Sequence, residues 1–66
     1  MTLTINGQDQ ELPGGLTVLE LLEHMQLDPD GVAIAVNLEV VPRGEHSTRV
    51  LTAGERVELV RAVGGG

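Results

Sequence analysis

The sequence predicts an α+β fold in which one main helix packs on one face of a mixed sheet of four to five short strands. Alternating polar and apolar residues open the chain and return at 56–63, a pattern typical of half-buried strands. A single amphipathic stretch, 17–26, separates the opening run from the later ones. A helix in that position buries its apolar stripe on the sheet, and a right-handed crossover through it sets a later strand parallel to the first.

The first two strands are predicted to form a hairpin. Residues 2–5 alternate, and Asn6-Gly7 then indicates a type I′ turn, which needs a positive φ at both central positions. The returning strand is expected at 8–12. A two-residue turn directs the glutamines of that strand to the same face as the apolar residues of the first one. We therefore expect the second strand at an edge of the sheet, where one face still reaches water.

The helix has the best-defined start in the chain. Thr17 is the predicted N-cap, and Glu20, three residues later, completes a capping box that satisfies two backbone N–H groups. We expect the helix to end near Gln26, because the turn-forming Asp-Pro-Asp-Gly follows at 28–31. The predicted buried stripe consists of Val18, Leu21, Leu22 and Met25, and the predicted wet side of Glu20, Glu23, His24 and Gln26.

The second half of the chain is predicted to consist of short extended segments. The strand at 32–36 is expected to place Val32, Ile34 and Val36 under the helix. The remaining predicted elements are a strand at 40–41 after a turn at 37–39, one helical turn within 43–48, a brief edge strand at 49–51, a turn at 53–55 and the final strand at 56–63 with Val57 and Leu59 facing inward.

Composition excludes several classes of function. The chain has 66 residues, no Cys, no Lys and a net charge of −6. The absence of Cys excludes disulfides and thiolate chemistry, and the acidic charge opposes binding to nucleic acid or to an anionic membrane. No apolar run approaches the roughly 20 residues of a membrane span. We expect an acidic domain of the cytoplasm that is a monomer when alone.

No residue pattern predicts a self-sufficient active site, a metal site or a bound cofactor. His24 and His46 have no ligand-like spacing, and we expect both to be solvated surface side chains. The glycines form no phosphate-binding loop, because the Lys and Ser or Thr of such a loop are missing after Gly14-Gly15. No catalytic residue is therefore predicted.

The last three residues, Gly64, Gly65 and Gly66, form the remaining candidate. We expect a folded domain at 1–63 and a flexible glycine tail at 64–66. A thread without side chains enters a narrow partner site, whereas terminal glycines in general are more often frayed ends or linker remnants. An ionised carboxylate is a poor electrophile, so the tail would have to be activated by another protein.

A set of short motifs carries a family resemblance. The motifs are Asn6-Gly7, Leu16-Thr17-Val18-x-x-Leu21-Leu22, Ala35-Val36-Asn37, Val41-Pro42-Arg43, Gly54-Glu55-x-Val57-Glu58 and the closing VRAVGGG. In this order, and over essentially the whole length, the chain resembles the ThiS family of sulfur carriers in thiamine biosynthesis, which has the ubiquitin-like β-grasp fold. Leu38 departs from the pattern, because the family often has a turn glycine there, and the turn type at that position stays open.

The resemblance implies a carrier acted on by partner enzymes, and no enzyme activity of its own. An E1-like adenylyltransferase would use ATP to adenylate Gly66. A desulfurase system would then supply the sulfur of a Gly66 thiocarboxylate (1-thioglycine), and thiazole synthase would accept that sulfur. Gly64 and Gly65 would thread into the partner. Val60, Ala62 and Val63 are candidates for the docking surface, with ordinary sheet packing as the alternative interpretation.

Three other functions remain open from the sequence. The small subunit of molybdopterin synthase shares the fold, the glycine tail and the thiocarboxylate chemistry, although its chains tend to be longer. A ubiquitin-like modifier conjugated to target lysines would use the same tail. A plain binding module with inert glycines is the third.

Overall fold

The computed structural model describes residues 1–61. The strands and the α-helix are β1 Thr2–Ile5, β2 Gln8–Glu11, α1 Val18–His24, β3 Val32–Val36, β4 Glu39–Val40 and β5 Arg56–Arg61. Two single-turn 3₁₀ helices cover Pro29–Gly31 and Arg43–Glu45. The predicted fold class, a mixed sheet of four to five strands with one main helix, is confirmed, and the sheet has five strands. The boundary predicted at residue 63 lies outside the described residues.

The sheet has the strand order β2-β1-β5-β3-β4. β5 pairs parallel with β1 on one side and antiparallel with β3 on the other, and the two hairpins β1–β2 and β3–β4 are antiparallel. The parallel β1–β5 pair is the arrangement that the crossover argument predicts. The last strand of residues 1–61, β5, is thus the central strand of the sheet.

The first hairpin agrees with its sequence prediction. Asn6 and Gly7 have φ values of 49° and 82°, as a type I′ turn requires. β2 lies at the edge of the sheet and pairs Ile5 with Gln8. The strand ends at Glu11, one residue earlier than expected.

The helix begins with the predicted capping box. The Glu20 N–H donates to Thr17 Oγ1 at 3.1 Å, and the Thr17 N–H donates to Glu20 Oε1 at 2.9 Å. The helix ends at His24, two residues before the predicted Gln26, because Gln26 has a left-handed φ of 60°. The predicted stripe faces the core: Val18, Leu21 and Leu22 are buried, and Met25 packs against them.

The core is aliphatic and lies between the helix and one face of the sheet. Its buried members are Leu3, Ile5, Leu12, Val18, Leu21, Leu22, Ile34, Val36, Val41, Leu51 and Val57. Val32 and Leu59 are half-buried at its margin. The opposite face of the sheet has no helix against it among residues 1–61.

The second hairpin differs from its prediction by one residue. Its turn is Asn37-Leu38, with φ values of 51° and 69°, and β4 is Glu39–Val40 instead of the predicted 40–41. The prediction was wrong because Leu38 adopts a left-handed φ, which is unusual for leucine, and the turn therefore closes with two residues. The Val41 N–H still bonds to the Ile34 carbonyl at 2.9 Å.

The predicted edge strand at 49–51 is also wrong. The segment does not join the sheet; it pairs through an isolated bridge between Thr17 and Val50 with the residues before the helix. The Leu51 N–H donates to the Leu16 carbonyl at 2.7 Å, and the Val18 N–H to the Arg49 carbonyl at 2.9 Å. These bonds hold the start of the helix, so the extended pattern there reflects pairing outside the sheet.

His46 was expected at the surface, and this prediction is wrong. Its residue exposure is only 4%, whereas His24 is exposed as predicted. His46 directly follows the second 3₁₀ helix in sequence. Its ring Nε2 lies 3.2 Å from the Val41 carbonyl oxygen, and its backbone carbonyl accepts the Leu19 N–H at 2.8 Å. Its location depends on contacts between distant segments, which the local sequence does not reveal.

Candidate functional site

The candidate site begins at the end of β5, the strand that precedes the glycine tail. Val60 and Arg61 are the last described residues of that strand. The other predicted site residues, Ala62, Val63, Gly64, Gly65 and Gly66, lie outside the described residues. The structure therefore describes the strand that precedes the glycine tail and the contacts that hold this strand.

Two asparagines hold β5 from both sides. The Leu59 N–H donates to Asn6 Oδ1 at 2.8 Å, and the Arg56 N–H donates to Asn37 Oδ1 at 3.1 Å. Each asparagine also donates its own backbone N–H to β5: Asn6 to the Val57 carbonyl at 2.9 Å and Asn37 to the Arg56 carbonyl at 2.8 Å. Because both are first residues of tight turns, each hairpin turn is attached to the central strand.

Glu55, the residue before β5, makes a further set of contacts that hold the start of this strand. Its Oε2 accepts hydrogen bonds from Arg49 at 2.8 Å and from the Asn37 amide at 3.1 Å, and its Oε1 accepts the Thr52 N–H at 2.7 Å. The Glu55 side chain is largely buried, with 13% exposure. These contacts join the 49–55 loop to the β3–β4 turn at the point where β5 begins.

The same network shifts the pKa of both charged groups. Burial by itself would raise the pKa of Glu55, but the hydrogen bonds from Arg49 and Thr52, with the Arg49 charge, outweigh it and hold that pKa below its usual range. The hydrogen bond to Glu55 in turn raises the pKa of Arg49, against a smaller opposing effect of burial. Glu55 is therefore an ionised carboxylate over the whole neutral range.

Val60 lies on the sheet face that points away from the helix, and its exposure is 64%. It is thus not a core residue. Ala33 lies opposite it on β3, and Val40 lies opposite Ala35 on the same face. These four residues, Ala33, Ala35, Val40 and Val60, are called the open-face patch below.

Acidic and hydroxyl side chains occupy the neighbouring strands of the open face. Thr4 Oγ1 donates to Asp9 Oδ1 at 2.8 Å, and Thr2 Oγ1 donates to Glu11 Oε1. Glu58 lies opposite Ala35 and is exposed. Arg56 is exposed on the same face of β5, two residues before Glu58. The carboxylates of Asp9, Glu11 and Glu58 outnumber this arginine on the strands beside the patch, which favours a partner with basic groups around an apolar contact.

Val40, with an exposure of 75%, was not among the predicted docking residues, whereas Val60 was. Val40 was placed in a strand of unspecified orientation, and only the pairing with Ala35 shows which face it occupies. The alternation of β5 was a sufficient signal for Val60. No comparable signal exists in a strand of two residues.

The described residues hold no candidate metal centre. Within residues 1–61, no three His, Cys, Asp or Glu side chains lie close enough together to bind a metal ion. No helix in this part of the chain has the length and apolar character that crossing a membrane requires.

Comparison with known proteins gives one consistent result. The profile of the ThiS family matches residues 3–66. The sulfur carrier protein ThiS of Escherichia coli is 32% identical over 66 residues, and the match covers 100% of both chains. A thiazole synthase of Paramagnetospirillum magneticum is 35% identical over 66 residues, and there the chain spans only 20% of the relative's length.

Solved structures agree. The crystal structure of a thiamine biosynthesis protein (ThiS) from Geobacter metallireducens superposes with a TM-score of 0.88 at 30% identity, over 100% of both chains. The solution structure of a thiamine biosynthesis protein from the same organism gives a TM-score of 0.84 at 32% identity, over 100% of this chain and 88% of the other. The β-grasp fold is thereby confirmed.

Proposed function

The chain belongs to the ThiS family of sulfur carriers in thiamine biosynthesis, and on this premise we propose that the sulfur is carried on the α-carboxyl group of Gly66. The observation that supports this proposal is the full-length match to a sulfur carrier, which includes the glycine tail. The chain's own side chains contain no Cys or Lys that could carry sulfur or an acyl group instead.

The proposed chemistry has three steps. The Gly66 carboxylate attacks the α-phosphate of ATP in an E1-like adenylyltransferase, which gives an acyl-adenylate and releases pyrophosphate. A persulfide supplied by a desulfurase attacks the acyl carbon and displaces AMP. A thiol then cleaves the S–S bond of the resulting acyl persulfide, which leaves a thiocarboxylate on Gly66. Activation is required because a carboxylate is ionised at neutral pH and resists nucleophilic attack.

Thiazole synthase is the proposed acceptor of the sulfur. Two thiazole synthases contain a segment similar to this whole chain, which supports a functional pairing of the two proteins. Gly64 and Gly65 form the proposed thread into the acceptor's site, because a segment without side chains enters the narrowest channel. The proposed domain is 1–63, the proposed tail is 64–66, and the proposed compartment is the cytoplasm.

The proposed docking surface combines the predicted Val60, Ala62 and Val63 with the rest of the open-face patch. Val60 and Val40 are exposed on the same face as the small side chains of Ala33 and Ala35. Exposed apolar side chains bordered by polar ones are typical of protein-binding surfaces.

Intact-mass spectrometry tests the carrier proposal. The chain is incubated with the adenylyltransferase, ATP, a desulfurase and cysteine. The expected product is heavier by the difference between one sulfur and one oxygen atom, and an otherwise identical reaction without ATP leaves the mass unchanged. An unchanged mass in the complete reaction would contradict the proposal.

The acceptor is identified in a second reaction. The thiocarboxylated chain is presented either to thiazole synthase or to the large subunit of molybdopterin synthase, and loss of sulfur is followed by mass. We expect transfer in the thiazole synthase reaction. Transfer only to the molybdopterin synthase subunit, or attachment of the chain to lysines of other proteins, would support one of the alternative functions.

A further inference from the structure

One corner of the sheet combines exposed apolar side chains with unpaired carboxylates. Leu38 and Val40 have exposures of 78% and 75%, the highest among the large apolar residues at positions 1–61. Glu39 lies between them in sequence but on the opposite face of β4, where it pairs with the buried Val36, and Glu45 lines the adjoining groove. The corner therefore extends around the edge of the sheet. These four residues, Leu38, Glu39, Val40 and Glu45, are called the β4 corner below.

Leu38 occupies a backbone conformation that does not suit its residue type. Its φ of 69° lies in the left-handed region, where the other non-glycine residues of the described chain are Asn6, Gln26 and Asn37. Asparagine tolerates this region, whereas a leucine there is strained by contact of its Cβ with the backbone. Leu38 buries almost none of its side chain in return. The fold therefore gains nothing from this leucine, which points to a contact outside the chain.

The groove beside the two apolar residues has an acidic side. It has a volume of about 140 Å³ and is lined by Val36, Asn37, Glu39, Val40, Val41, Glu45 and Arg49. Arg49 donates to Glu55 at 2.8 Å, and the Glu39 charge acts on Arg49 without a direct ion pair. Within residues 1–61, Glu39 and Glu45 form no ion pair. A cationic side chain of a partner would find two carboxylates there.

We propose that the β4 corner is a docking contact for thiazole synthase, whose matching surface presents an apolar pocket with a Lys or Arg beside it. This inference rests on the proposed function. The charge of the groove favours a basic partner group, and the corner continues the open-face patch through Val40, which pairs with Ala35. Thiazole synthases of Paramagnetospirillum magneticum and Magnetococcus marinus contain a segment similar to this chain, so thiazole synthase is the partner that the comparisons favour.

Substitution of Leu38 tests the apolar part of the contact. Leu38→Asn removes the apolar side chain but keeps a residue that tolerates a positive φ. We expect its Kd for purified thiazole synthase, measured by isothermal titration calorimetry, to rise about tenfold or more, as expected for the loss of one buried leucine side chain. Its melting temperature should not fall. Leu38→Met keeps an apolar side chain and should bind within about threefold of wild type.

Val50→Thr is the matched control. Val50 is another exposed apolar residue, and it lies outside the β4 corner, in the segment that bridges to Thr17. Its substitution should leave the Kd for thiazole synthase within about twofold of wild type, as is usual for a side chain outside an interface. Equal losses for Val50→Thr and Leu38→Asn would overturn the assignment of the contact to the β4 corner.

The charge part of the contact is tested by salt dependence. In the double variant Glu39→Gln and Glu45→Gln, the Kd should rise and should depend less on ionic strength than in the wild type, because fewer charges meet across the interface. An unchanged salt dependence would overturn the proposed pairing with a basic group.

The wild-type reactions separate this inference from the proposed function. If the wild type gains no sulfur in the complete reaction, the proposed function fails. If it gains sulfur and binds thiazole synthase, but Leu38→Asn binds equally well, only the β4 corner fails. The corner is also overturned if Leu38→Asn loses reaction with the adenylyltransferase alone and keeps its affinity for thiazole synthase.

Discussion

Asn6 and Leu59 lie 53 positions apart in sequence, yet the Leu59 N–H donates to Asn6 Oδ1 at 2.8 Å. The asparagine is thus more than a turn former. Its φ of 49° closes the first hairpin, and its side chain attaches that turn to the central strand. On the other side of β5, Asn37 makes the equivalent bond to the Arg56 N–H at 3.1 Å.

Replacement of Asn6 by glycine isolates the side-chain bond. Glycine keeps the positive φ but removes the acceptor of the Leu59 N–H. We expect the free energy of unfolding to fall by about 1–2 kcal/mol, from the lost hydrogen bond and the greater freedom of the unfolded chain. Urea denaturation measures the loss, and faster exchange of the Leu59 amide proton locates it. Asn6→Asp keeps an oxygen acceptor and should lose less; equal losses in the two variants would contradict the role of the bond.

Glu55 predicts a defined dependence of stability on pH. Its folded-state pKa is lowered, so ionised Glu55 stabilises the fold at pH values above its unfolded pKa of about 4.3. This contribution is lost as the pH falls through the folded-state pKa. We expect Glu55→Gln to be less stable than wild type at pH 7, and the difference to shrink below pH about 4. Urea denaturation across this pH range measures both effects.

Glu45→Gln is the control for the Glu55 prediction. Glu45 is exposed and forms no ion pair within residues 1–61. This variant should follow the pH profile of the wild type. A stability difference between Glu55→Gln and wild type that stays constant down to acid pH would show that protonation of Glu55 is not responsible.

Replacement of the buried His46 by alanine should destabilise the fold by about 2 kcal/mol, through the lost packing of the ring and the lost contact with the Val41 carbonyl. His24→Ala, at an exposed position, should change the free energy of unfolding by less than about 0.5 kcal/mol. Urea denaturation compares the two variants. Equal effects would contradict the burial of His46.

Deletion of Gly66 should abolish formation of the thiocarboxylate, because the next carboxyl group lies one residue short of the proposed reactive position. The melting temperature should stay within about 2 °C of wild type, since a terminal glycine contributes little packing. Intact mass and thermal denaturation provide the two measurements. A retained gain of sulfur would contradict the proposed position, and a large loss of stability would contradict the free-tail proposal.

Val60→Ser should weaken binding to thiazole synthase about tenfold and leave stability nearly unchanged, because Val60 is 64% exposed on the open face. Val50→Ser removes an exposed apolar side chain elsewhere and should bind as the wild type does. Calorimetric titration of both variants makes the comparison. If Val60→Ser lowers the melting temperature and leaves the Kd unchanged, Val60 serves sheet packing instead.

The elements that the sequence predicts well depend on residues close to one another. The capping box joins Thr17 and Glu20, and the type I′ turn needs only Asn6-Gly7. Both are visible in a few letters of sequence. The β4 boundary was missed because Leu38 adopts a conformation that local preferences disfavour, and the sheet's own pairing holds it there.

The parts of the site that were missed depend on residues far apart. Glu55 combines with Asn37 and Arg49 only after the second hairpin folds against the 49–55 loop. His46 contacts the Val41 carbonyl and the Leu19 N–H, which belong to two different earlier segments of the chain. The alternation of β5 predicts that Val60 is exposed. The same pattern does not identify the partner that would bind there, so the docking role of Val60 stays a prediction.

The central position of β5 has a consequence for biosynthesis. A ribosome makes β1–β2 and β3–β4 first, and the two hairpins share no pairing until β5 is inserted between them. Long-range parallel pairing of this kind closes late in folding, because the intervening loop must be ordered first. Chains interrupted before β5 should therefore be unable to complete their core and should be degraded. Only a polypeptide that includes β5 would then present a folded domain to its partners.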